Sequence, residues 1–373
     1  MTLPSAVAPS DTALPIEPPA LVYPEPLTAT DSHAYLALRT NAAWFESGDH
    51  WSSFVGPKAA ESLNGLVTND VSVLQPGQGL HAAALTVKGK VLCDMFIMRV
   101  DEHTFLMSIR PSCAAQWIAT AKKYVNPRLA KVTDESARYA GFMLYGVNAS
   151  ALLTQLSGNA PSATETGDTQ PATDTTITAL AAWPDWSHGP RTIGAASVRV
   201  IRAPLMGSVP GFIIMADAHD ANEVRAHLAS SAAVHASPAV WNLTRIESGR
   251  PAWGIDMDDH TIPQEANLGT LGAISFTKGC YTGQETVARL HFRGHVNKQL
   301  RALQATAPMP THARLLDANG KDVGDVRSTV ISPRLGPIAI AMVRREIALG
   351  AVVLVQATDT PIPATVSALP FPE

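Results

Sequence analysis

The chain has 373 residues, of which 46% are hydrophobic and 16% are charged, and its formal net charge at pH 7 is −4. Such a composition is typical of a globular protein, and the length predicts two or three domains with a sizeable core. No stripe of Lys and Arg stands out, so direct binding of nucleic acid is not expected. No apolar run is long enough to span a membrane.

The N-terminal segment predicts a disordered, proline-rich leader over residues 1–30. It carries prolines at positions 4, 9, 15, 18, 19, 24 and 26, and the first Lys or Arg of the chain is Arg39. A secretory signal begins with basic residues and a transit peptide is rich in Arg, so neither is indicated.

Three cysteines, Cys93, Cys113 and Cys280, lie far apart and lack CxxC spacing. They form no disulfide framework, which favours a reducing cytoplasm as the location. They also provide no complete four-cysteine site for zinc or an iron–sulfur cluster within the chain.

The first half of the chain predicts alternating helices and strands. Apolar spacing indicates helices over 31–39, 58–66, 112–124 and 149–156. Ser112 is expected to be the N-cap of the third helix. Extended runs indicate strands over 80–87, 91–100 and 139–145, with a hairpin turn at 88–90. A further turn is expected at 46–49.

The second half begins with an insertion and ends with a change of pattern. Residues 157–176 contain few apolar side chains, which predicts a flexible insertion. Strands are expected over 197–202 and 211–215, and helices over 221–230 and 240–248. After residue 299, short alternating runs separated by turn residues predict a small β-barrel. The main region is therefore expected over 31–298 and the barrel over 299–373.

The run KGCYTGQE at 278–285 is the most informative motif. Glycines on both sides of Cys280 permit a sharp, approachable loop, and a nearby ammonium such as Lys278 favours the reactive thiolate. Cys280 is therefore a candidate nucleophile, a candidate thiol for a redox partner or for a cluster carried by another protein, or a residue that only shapes the loop.

The stretch from Ile262 to Lys298 contains this motif and closely resembles the signature of the YgfZ family. These proteins are folate-binding relatives of the T-protein, the aminomethyltransferase of glycine cleavage. The resemblance covers roughly residues 31–370. It implies an α+β fold with interleaved subdomains around a folate cleft, followed by the C-terminal barrel.

The same resemblance implies candidate site residues. Asp94, in the run GKVLCDMF, matches the catalytic aspartate of T-proteins, where a carboxylate beside the folate N5 steers proton movement; an ordinary strand-end residue is its structural alternative. Glu247, in an R-x-E-x-G segment, is the candidate for the pterin edge, and an Arg–Glu pair at a helix end is its structural alternative. The remaining candidates for folate binding, which include two cations for the glutamyl tail, are Lys278, Tyr281, Gln284 and Arg289.

Other polar clusters have plainer interpretations. Thr68-Asn69-Asp70 follows the family pattern but predicts a helix-ending Asx-turn. The pair His291 and His295 lacks a third ligand, so no metal site is predicted. The acidic residues Asp256, Asp258 and Asp259 lack the spacing of a calcium loop and are expected in a solvated loop.

The resemblance implies a tetrahydrofolate-binding protein that acts in the assembly or repair of iron–sulfur clusters and, through cluster enzymes, in tRNA modification. Its expected partners are iron–sulfur enzymes or assembly proteins. One alternative is an aminomethyltransferase that moves a one-carbon unit from a lipoyl-linked donor to tetrahydrofolate, although Cys93 replaces one member of the acidic pair common in T-proteins. Another alternative is a non-catalytic scaffold, so whether the chain catalyses a reaction stays open.

Overall fold

The computed structural model of the chain describes residues 20–159 and 180–372. Within these ranges there are seven α-helices: α1 (Ala29–Thr40), α2 (Ala59–Asn64), α3 (Pro111–Tyr124), α4 (Ala149–Leu156), α5 (Ala221–Ser230), α6 (Pro238–Glu247) and α7 (Gln284–Arg293). None of the helices in the described part of the chain is long and apolar enough to cross a membrane.

The strands form two sheets and a closed barrel. In chain order they are β1 (Ala43–Ser47), β2 (His50–Val55), β3 (Gly79–Leu85), β4 (Val91–Arg99), β5 (Thr104–Ile109), β6 (Lys131–Asp134), β7 (Tyr139–Tyr145), β8 (Ser157–Asn159), β9 (His188–Ile193), β10 (Ala196–Arg202), β11 (Gly211–Asp217), β12 (Val234–His235), β13 (Lys298–Ala305), β14 (Arg314–Leu316), β15 (Asp322–Ser332), β16 (Gly336–Arg344), β17 (Val352–Val355) and β18 (Ile362–Ser367).

The two sheets are interleaved in sequence. One sheet has seven strands in the order β12-β1-β7-β11-β10-β9-β8, and the other has five in the order β3-β4-β5-β2-β6. Consecutive strands β1 and β2 lie in different sheets, since β1 pairs with β7 and β12 whereas β2 pairs with β5 and β6. The turn between them, Gly48 and Asp49, therefore passes from one sheet to the other.

The C-terminal unit is a closed six-stranded barrel in the order β13-β16-β15-β14-β17-β18. A buried polar cluster joins it to α6: the Arg245 guanidinium pairs with Asp256 at 2.8 Å and donates to the Ser328 hydroxyl at 2.8 Å. The Ser328 hydroxyl in turn donates to Asp256 at 2.6 Å. Asp256 has no exposed surface, so the expectation of a solvated acidic loop is wrong for this residue.

The α+β fold class and the barrel are confirmed, and most predicted elements agree with the structure to within a few residues. The N-cap of α3 is a correction: Pro111 begins the helix and Arg110 is its N-cap, because proline is favoured in the first helical turn. The strands without a counterpart in the sequence analysis are β1, β2, β5, β6, β8, β9 and β12.

Two predicted flexible segments fall largely outside the described residues. Of the expected leader, residues 1–19 are not described, but Val22 bridges Thr311 of the barrel. The Tyr23 hydroxyl accepts from the Thr358 amide at 3.2 Å. The described end of this segment is thus anchored, in contrast to the expected disorder up to residue 30. Of the expected insertion, residues 157–159 form β8, and the remainder lies outside the described residues.

Candidate functional site

A cavity of about 570 Å³ lies where the two sheets meet, beside the N-terminal half of α6. The β1–β2 turn, the ends of β3, β4 and β5, and the start of α6 all contribute to its wall. Three aromatic rings form much of its apolar surface: Phe45, Phe96 and Trp241. The polar groups in its wall include Asp49, His81, Asp94, Ser108, Arg110, Arg245 and Arg250.

Asp94, predicted from the sequence, lines this cavity on β4 and is 9% exposed. Its Oδ2 lies 3.2 Å from Nε2 of His81, whereas its Oδ1 is buried without a partner among the described residues. Burial alone would raise the pKa of Asp94, but the His81 hydrogen bond and the charge of Arg110 outweigh it, and the net pKa is below the ordinary value. Asp94 is therefore an ionised carboxylate in the cavity wall whose Oδ1 has no hydrogen-bond partner among the described residues.

His81 was not predicted; it lies on β3 opposite Phe96 and diagonal to Asp94 of β4. The residue is only 3% exposed, and its ring lies 4.9 Å from that of Phe96, which itself stacks on Trp186 at 4.5 Å. The Phe96 ring on one side and the contact with the Asp94 carboxylate on the other hold the imidazole in place. The histidine thereby orients the Asp94 carboxylate towards the cavity.

Asp49 is a second carboxyl group in the wall that the sequence analysis treated only as part of a turn. It accepts a hydrogen bond from the Ser108 hydroxyl at 2.7 Å. Burial raises the pKa of Asp49, and the negative charge of Asp94 adds to this effect, against the opposing charge of Arg110. The pKa values of Asp49 and Asp94 are thus shifted in opposite directions, a pattern that separates acid from base roles at functional sites. A third carboxyl group of the wall, Glu46, has its pKa lowered by its hydrogen bond with Arg225.

The three arginines of the cavity wall differ in the hydrogen bonds and ion pairs that their side chains make. Arg245 belongs to the buried cluster with Asp256, and Arg250 donates to the backbone carbonyl of Pro204. For Arg110, no side-chain hydrogen bond or ion pair occurs among residues 20–159 and 180–372. Its guanidinium is therefore the cation most available to an anionic ligand.

Glu247 does not line this cavity. Its carboxylate accepts from the Tyr35 hydroxyl at 2.8 Å, from Arg39 at 2.9 Å and from the Ser332 hydroxyl at 2.5 Å. These contacts hold the end of α6 against α1 and the barrel. The expectation that Glu247 faces the cleft differs from this placement, because neither Glu247 nor any of these partners lines the cavity.

Lys278 is also engaged away from the cavity. It is 8% exposed, and its ammonium donates to three backbone carbonyls, of Asn64 at 2.6 Å, Val67 at 2.9 Å and Asn69 at 2.8 Å. Burial lowers its pKa to about 8. With three donors already used, the ammonium is not available to a folate tail in this arrangement.

Cys280 and the other residues of the motif lie outside the cavity. Cys280 is exposed, whereas Cys93 and Cys113 are buried. Tyr281 packs in the core, and its amide donates to the side-chain oxygen of Gln284, the first residue of α7, at 3.2 Å. Arg289 is exposed on the same helix. None of the described residues 278–289 lines the cavity.

A short hydrogen-bonded path nevertheless joins the motif to the cavity. The backbone oxygen of Asn69 accepts from Lys278, and the Asn69 side chain donates to the carbonyls of His81 and Gly272, each at 2.8 Å. The neighbouring Asp70 accepts from the Ser72 amide at 3.0 Å and so forms an Asx-turn, but this turn begins the short 3-10 helix Val71–Val73, whereas the sequence predicted a turn that ends a helix. The turn thus braces the strand that carries His81.

Among the described residues, one group has the spacing of metal ligands: Asp217, His219 and Asp220, whose ligand atoms lie within 4.8 Å of one another. Asp217 already faces Arg138 at 3.6 Å. His291, by contrast, stacks on Phe276 at 3.7 Å, so its ring is engaged in packing.

Comparison with protein families gives two matches that together span most of the chain. Residues 20–278 match the family described as the GCVT N-terminal domain. Residues 298–372 match the glycine cleavage T-protein C-terminal barrel domain. The boundary between the matches coincides with the start of the barrel at β13.

Individual relatives belong to two named groups. The chain is 32% identical over 264 residues to the tRNA-modifying protein YgfZ of Klebsiella pneumoniae, which covers 69% of this chain and 71% of that protein. It is 28% identical over 350 residues to an aminomethyltransferase of Saccharopolyspora erythraea, covering 91% and 89%. The structure of the glycine cleavage aminomethyltransferase T of Bartonella henselae superimposes on this chain with a TM-score of 0.78 at 21% identity. The superposition covers 91% of this chain and 89% of that one, and it bears on the fold alone.

Proposed function

This chain belongs to the glycine cleavage T-protein family, which includes the YgfZ proteins, and we propose that its cavity binds a reduced folate, in the first instance tetrahydrofolate. One observation carries the proposal. An aromatic-walled cavity of about 570 Å³ contains an ionised Asp94 whose second oxygen is buried without a protein partner. Since a buried acceptor without a donor is costly, this oxygen fits the role of a ligand contact.

The chemistry of the wall suits the parts of a folate. The flat pterin ring would pack between the apolar and aromatic side chains, as is usual for small-molecule sites. Asp94, oriented by His81, would accept a hydrogen bond from a ring nitrogen and move a proton at that atom. Arg110 would meet the anionic tail in place of Lys278 or Arg289. Bound tetrahydrofolate supplies nitrogen atoms that carry one-carbon units.

For the biological role we propose assembly or repair of iron–sulfur clusters in the cytoplasm, with an indirect effect on tRNA modification. The YgfZ relatives, one of them 32% identical, support this role through the name that they carry, tRNA-modifying protein. The expected partners are iron–sulfur enzymes or their assembly proteins. Cys280, the exposed thiol of the motif, is the proposed point of contact with them.

Aminomethyl transfer is the second candidate. The match to an aminomethyltransferase over 91% of the chain supports it, and so does the carboxylate of Asp94 in the cavity. The exposed cysteine motif favours the first role, because T-proteins generally lack it. A non-catalytic scaffold would retain the fold without either activity, and fold alone does not distinguish these cases.

Calorimetric titration with tetrahydrofolate, with and without a purified lipoyl carrier protein, tests the proposal. We expect wild-type binding, weaker binding by about 1–3 kcal/mol in Asp94→Asn, because a charged acceptor is lost, and little turnover of the aminomethyl-lipoyl carrier. Undetectable binding by the wild type would reject folate binding. Robust methylenetetrahydrofolate production that Asp94→Asn abolishes would instead favour aminomethyl transfer.

The cluster role needs a cellular test. Cys280→Ser is nearly isosteric and the side chain is exposed, so we expect normal folding and unchanged folate binding. We also expect this variant to fail to restore cluster-enzyme activity in cells that lack the native gene. Full restoration would show that the thiol is dispensable, and Cys113→Ser, which alters a buried thiol elsewhere, gives a matched control for expression.

A further inference from the structure

Positive charge gathers around α7, although the formal net charge of the chain is −4. Arg289 and Arg293 are both exposed on this helix, and Glu285 is its only carboxylate. The barrel strand that follows the helix begins at Lys298, which lies directly opposite the exposed Arg344 of β16. The helix and the start of the barrel thus each carry a pair of cations.

Two contacts extend this region on either side of the helix. At its start, the Thr286 hydroxyl donates to the Lys88 carbonyl of the β3–β4 hairpin at 3.2 Å. Beyond its end, the Asn297 carbonyl accepts from the Arg345 amide at 2.9 Å. We refer to the exposed cations of the helix and of these neighbours as the α7 basic face: Lys88, Arg289, Arg293, Arg344 and Arg345.

The fold does not neutralise the α7 basic face. No side chain of the face forms an ion pair or a hydrogen bond within residues 20–159 and 180–372. Arg289 and Arg293 lie at positions i and i+4 of the helix, where like charges destabilise it. Lys298 and Arg344 face each other across a strand pair, where like charges are also destabilising. An anionic partner would relieve both repulsions.

An exposed aromatic side chain lies on the same helix. Phe292 is 68% exposed and directly precedes Arg293 in the sequence. The His291 ring contacts the Phe292 ring edge to face, with centroids 4.7 Å apart, and itself stacks on Phe276 at 3.7 Å. Aromatic and Arg side chains are enriched at protein–protein interfaces and carry much of their binding energy. Phe292, held by neighbouring rings, has the features of an interface anchor.

We propose that the α7 basic face, with Phe292 as its apolar anchor, is the docking surface for an acidic surface of a partner protein. The inference rests on the proposed function, in which a partner contacts Cys280, and it specifies the chemistry of that partner. Cys280 is exposed in the loop that leads into α7. A protein seated on the helix would therefore lie beside the thiol.

A protein partner fits this surface better than a nucleic acid does. The net charge of the whole chain is −4, which repels a long phosphate backbone. An acidic protein surface has to match the positive charge only over one helix and its neighbours, and it can supply an apolar pocket for Phe292. Complementary charge of this kind raises the association rate and makes it sensitive to salt.

Peptides that react with thiols test the charge preference. Two synthetic peptides of equal length, one rich in Glu and one rich in Lys, each carry a single cysteine activated as a 2-pyridyl disulfide. The Cys280 thiolate attacks the peptide sulfur, a new disulfide forms, and pyridine-2-thione leaves and is measured by its absorbance. We expect the full-length wild type to react roughly tenfold faster with the Glu-rich peptide at low ionic strength, and the two rates to converge in about 1 M salt. Cys280→Ser supplies the background rate.

The double variant Arg289→Glu, Arg293→Glu should reverse the preference, because it makes the exposed side of the helix acidic. Both side chains are exposed and lack partners among the described residues, so urea unfolding should show stability close to that of the wild type. The matched control is Lys122→Glu, Arg128→Glu, which changes the net charge equally at exposed positions outside the face and should keep the wild-type preference. An unchanged preference in the first variant, or no preference in the wild type, would overturn the inference.

Restoration of cluster-enzyme activity in cells that lack the native gene separates this inference from the proposed function. We expect the wild type and the control to restore activity, and the Arg289→Glu, Arg293→Glu variant to fail. Full restoration by that variant would overturn the inference alone. Failure by the wild type would reject the cluster role and leave the peptide preference as support for an acidic docking partner. Binding of a labelled transfer RNA at physiological salt that only the Arg289→Glu, Arg293→Glu variant loses would assign the face to nucleic acid and overturn the inference.

Discussion

Replacing Lys278 with methionine separates two explanations for the lysine of the cysteine motif. If the ammonium tunes the neighbouring thiol, its loss should slow alkylation of Cys280 and leave stability unchanged. The structure favours a different role, because all three ammonium protons are donated to carbonyls of the turn that follows α2. We therefore expect Lys278→Met to destabilise the fold and to change the reactivity of the exposed thiol little.

The magnitude follows from where the three carbonyls lie. The bond to Val67 is buried, so its loss leaves an acceptor without water, at a cost of about 1–3 kcal/mol. The bonds to Asn64 and Asn69 are partly exposed, so water can replace the ammonium there at about 0.5–1 kcal/mol each. Methionine keeps most of the apolar stem. The sum is a loss of about 2–5 kcal/mol in the free energy of unfolding.

Urea unfolding, followed by fluorescence, measures this loss, and alkylation of native protein measures the thiol. The matched control is Lys88→Met, which removes an exposed lysine from a hairpin turn and should change stability by no more than about 0.5 kcal/mol. If Lys278→Met had wild-type stability and its Cys280 were alkylated slowly, the structural role of Lys278 would be refuted and its electrostatic effect on the thiol supported.

Three further predictions concern other parts of the molecule. A limiting alkylating reagent should label Cys280 before Cys93 and Cys113, because only the first thiol is exposed; equal labelling would contradict this. Burial lowers the pKa of His188 from 6.5 to about 4, so the unfolded chain takes up a proton first and stability falls as the pH falls between these values. His188→Gln should show a shallower fall in urea titrations, and an unchanged slope would count against the neutral ring. Arg245→Met should cost about 3–5 kcal/mol in thermal or urea unfolding, because it leaves a buried carboxylate unpaired; a loss below 1 kcal/mol would contradict this.

Local patterns were sufficient to predict many elements. The strand Tyr139–Tyr145 and the helix Ala149–Leu156 have the predicted bounds because a glycine-containing turn separates two runs of clear periodicity. Strand β5 was missed because its run between 104 and 109 lies close to the expected start of α3, and nothing in the local sequence marks the change. The closed barrel was predictable from repeated turn signals alone.

The candidate site was only partly predictable, since it is assembled from residues far apart in sequence. Asp94 was found because a family motif surrounds it. Asp49 and His81 lack such a motif and acquire their character only when two sheets meet. Glu247 illustrates the converse, because its segment resembles the family pattern while its partners Tyr35 and Arg39 come from a distant helix. A carboxyl in a turn between two strands is a signal that could have drawn attention to Asp49.

The geometry separates the two groups on which the proposed function depends. Asp94 lines a cavity between the sheets, whereas Cys280 is exposed in a loop that does not contribute to that cavity. Under the proposed function, a partner protein would therefore contact the thiol without displacing the folate. The two positions are still mechanically related, because Lys278 fixes the turn whose Asn69 side chain binds the backbone of His81, and His81 orients Asp94. The motif lysine is therefore linked to the cavity wall by a series of hydrogen bonds that does not involve the Cys280 thiol.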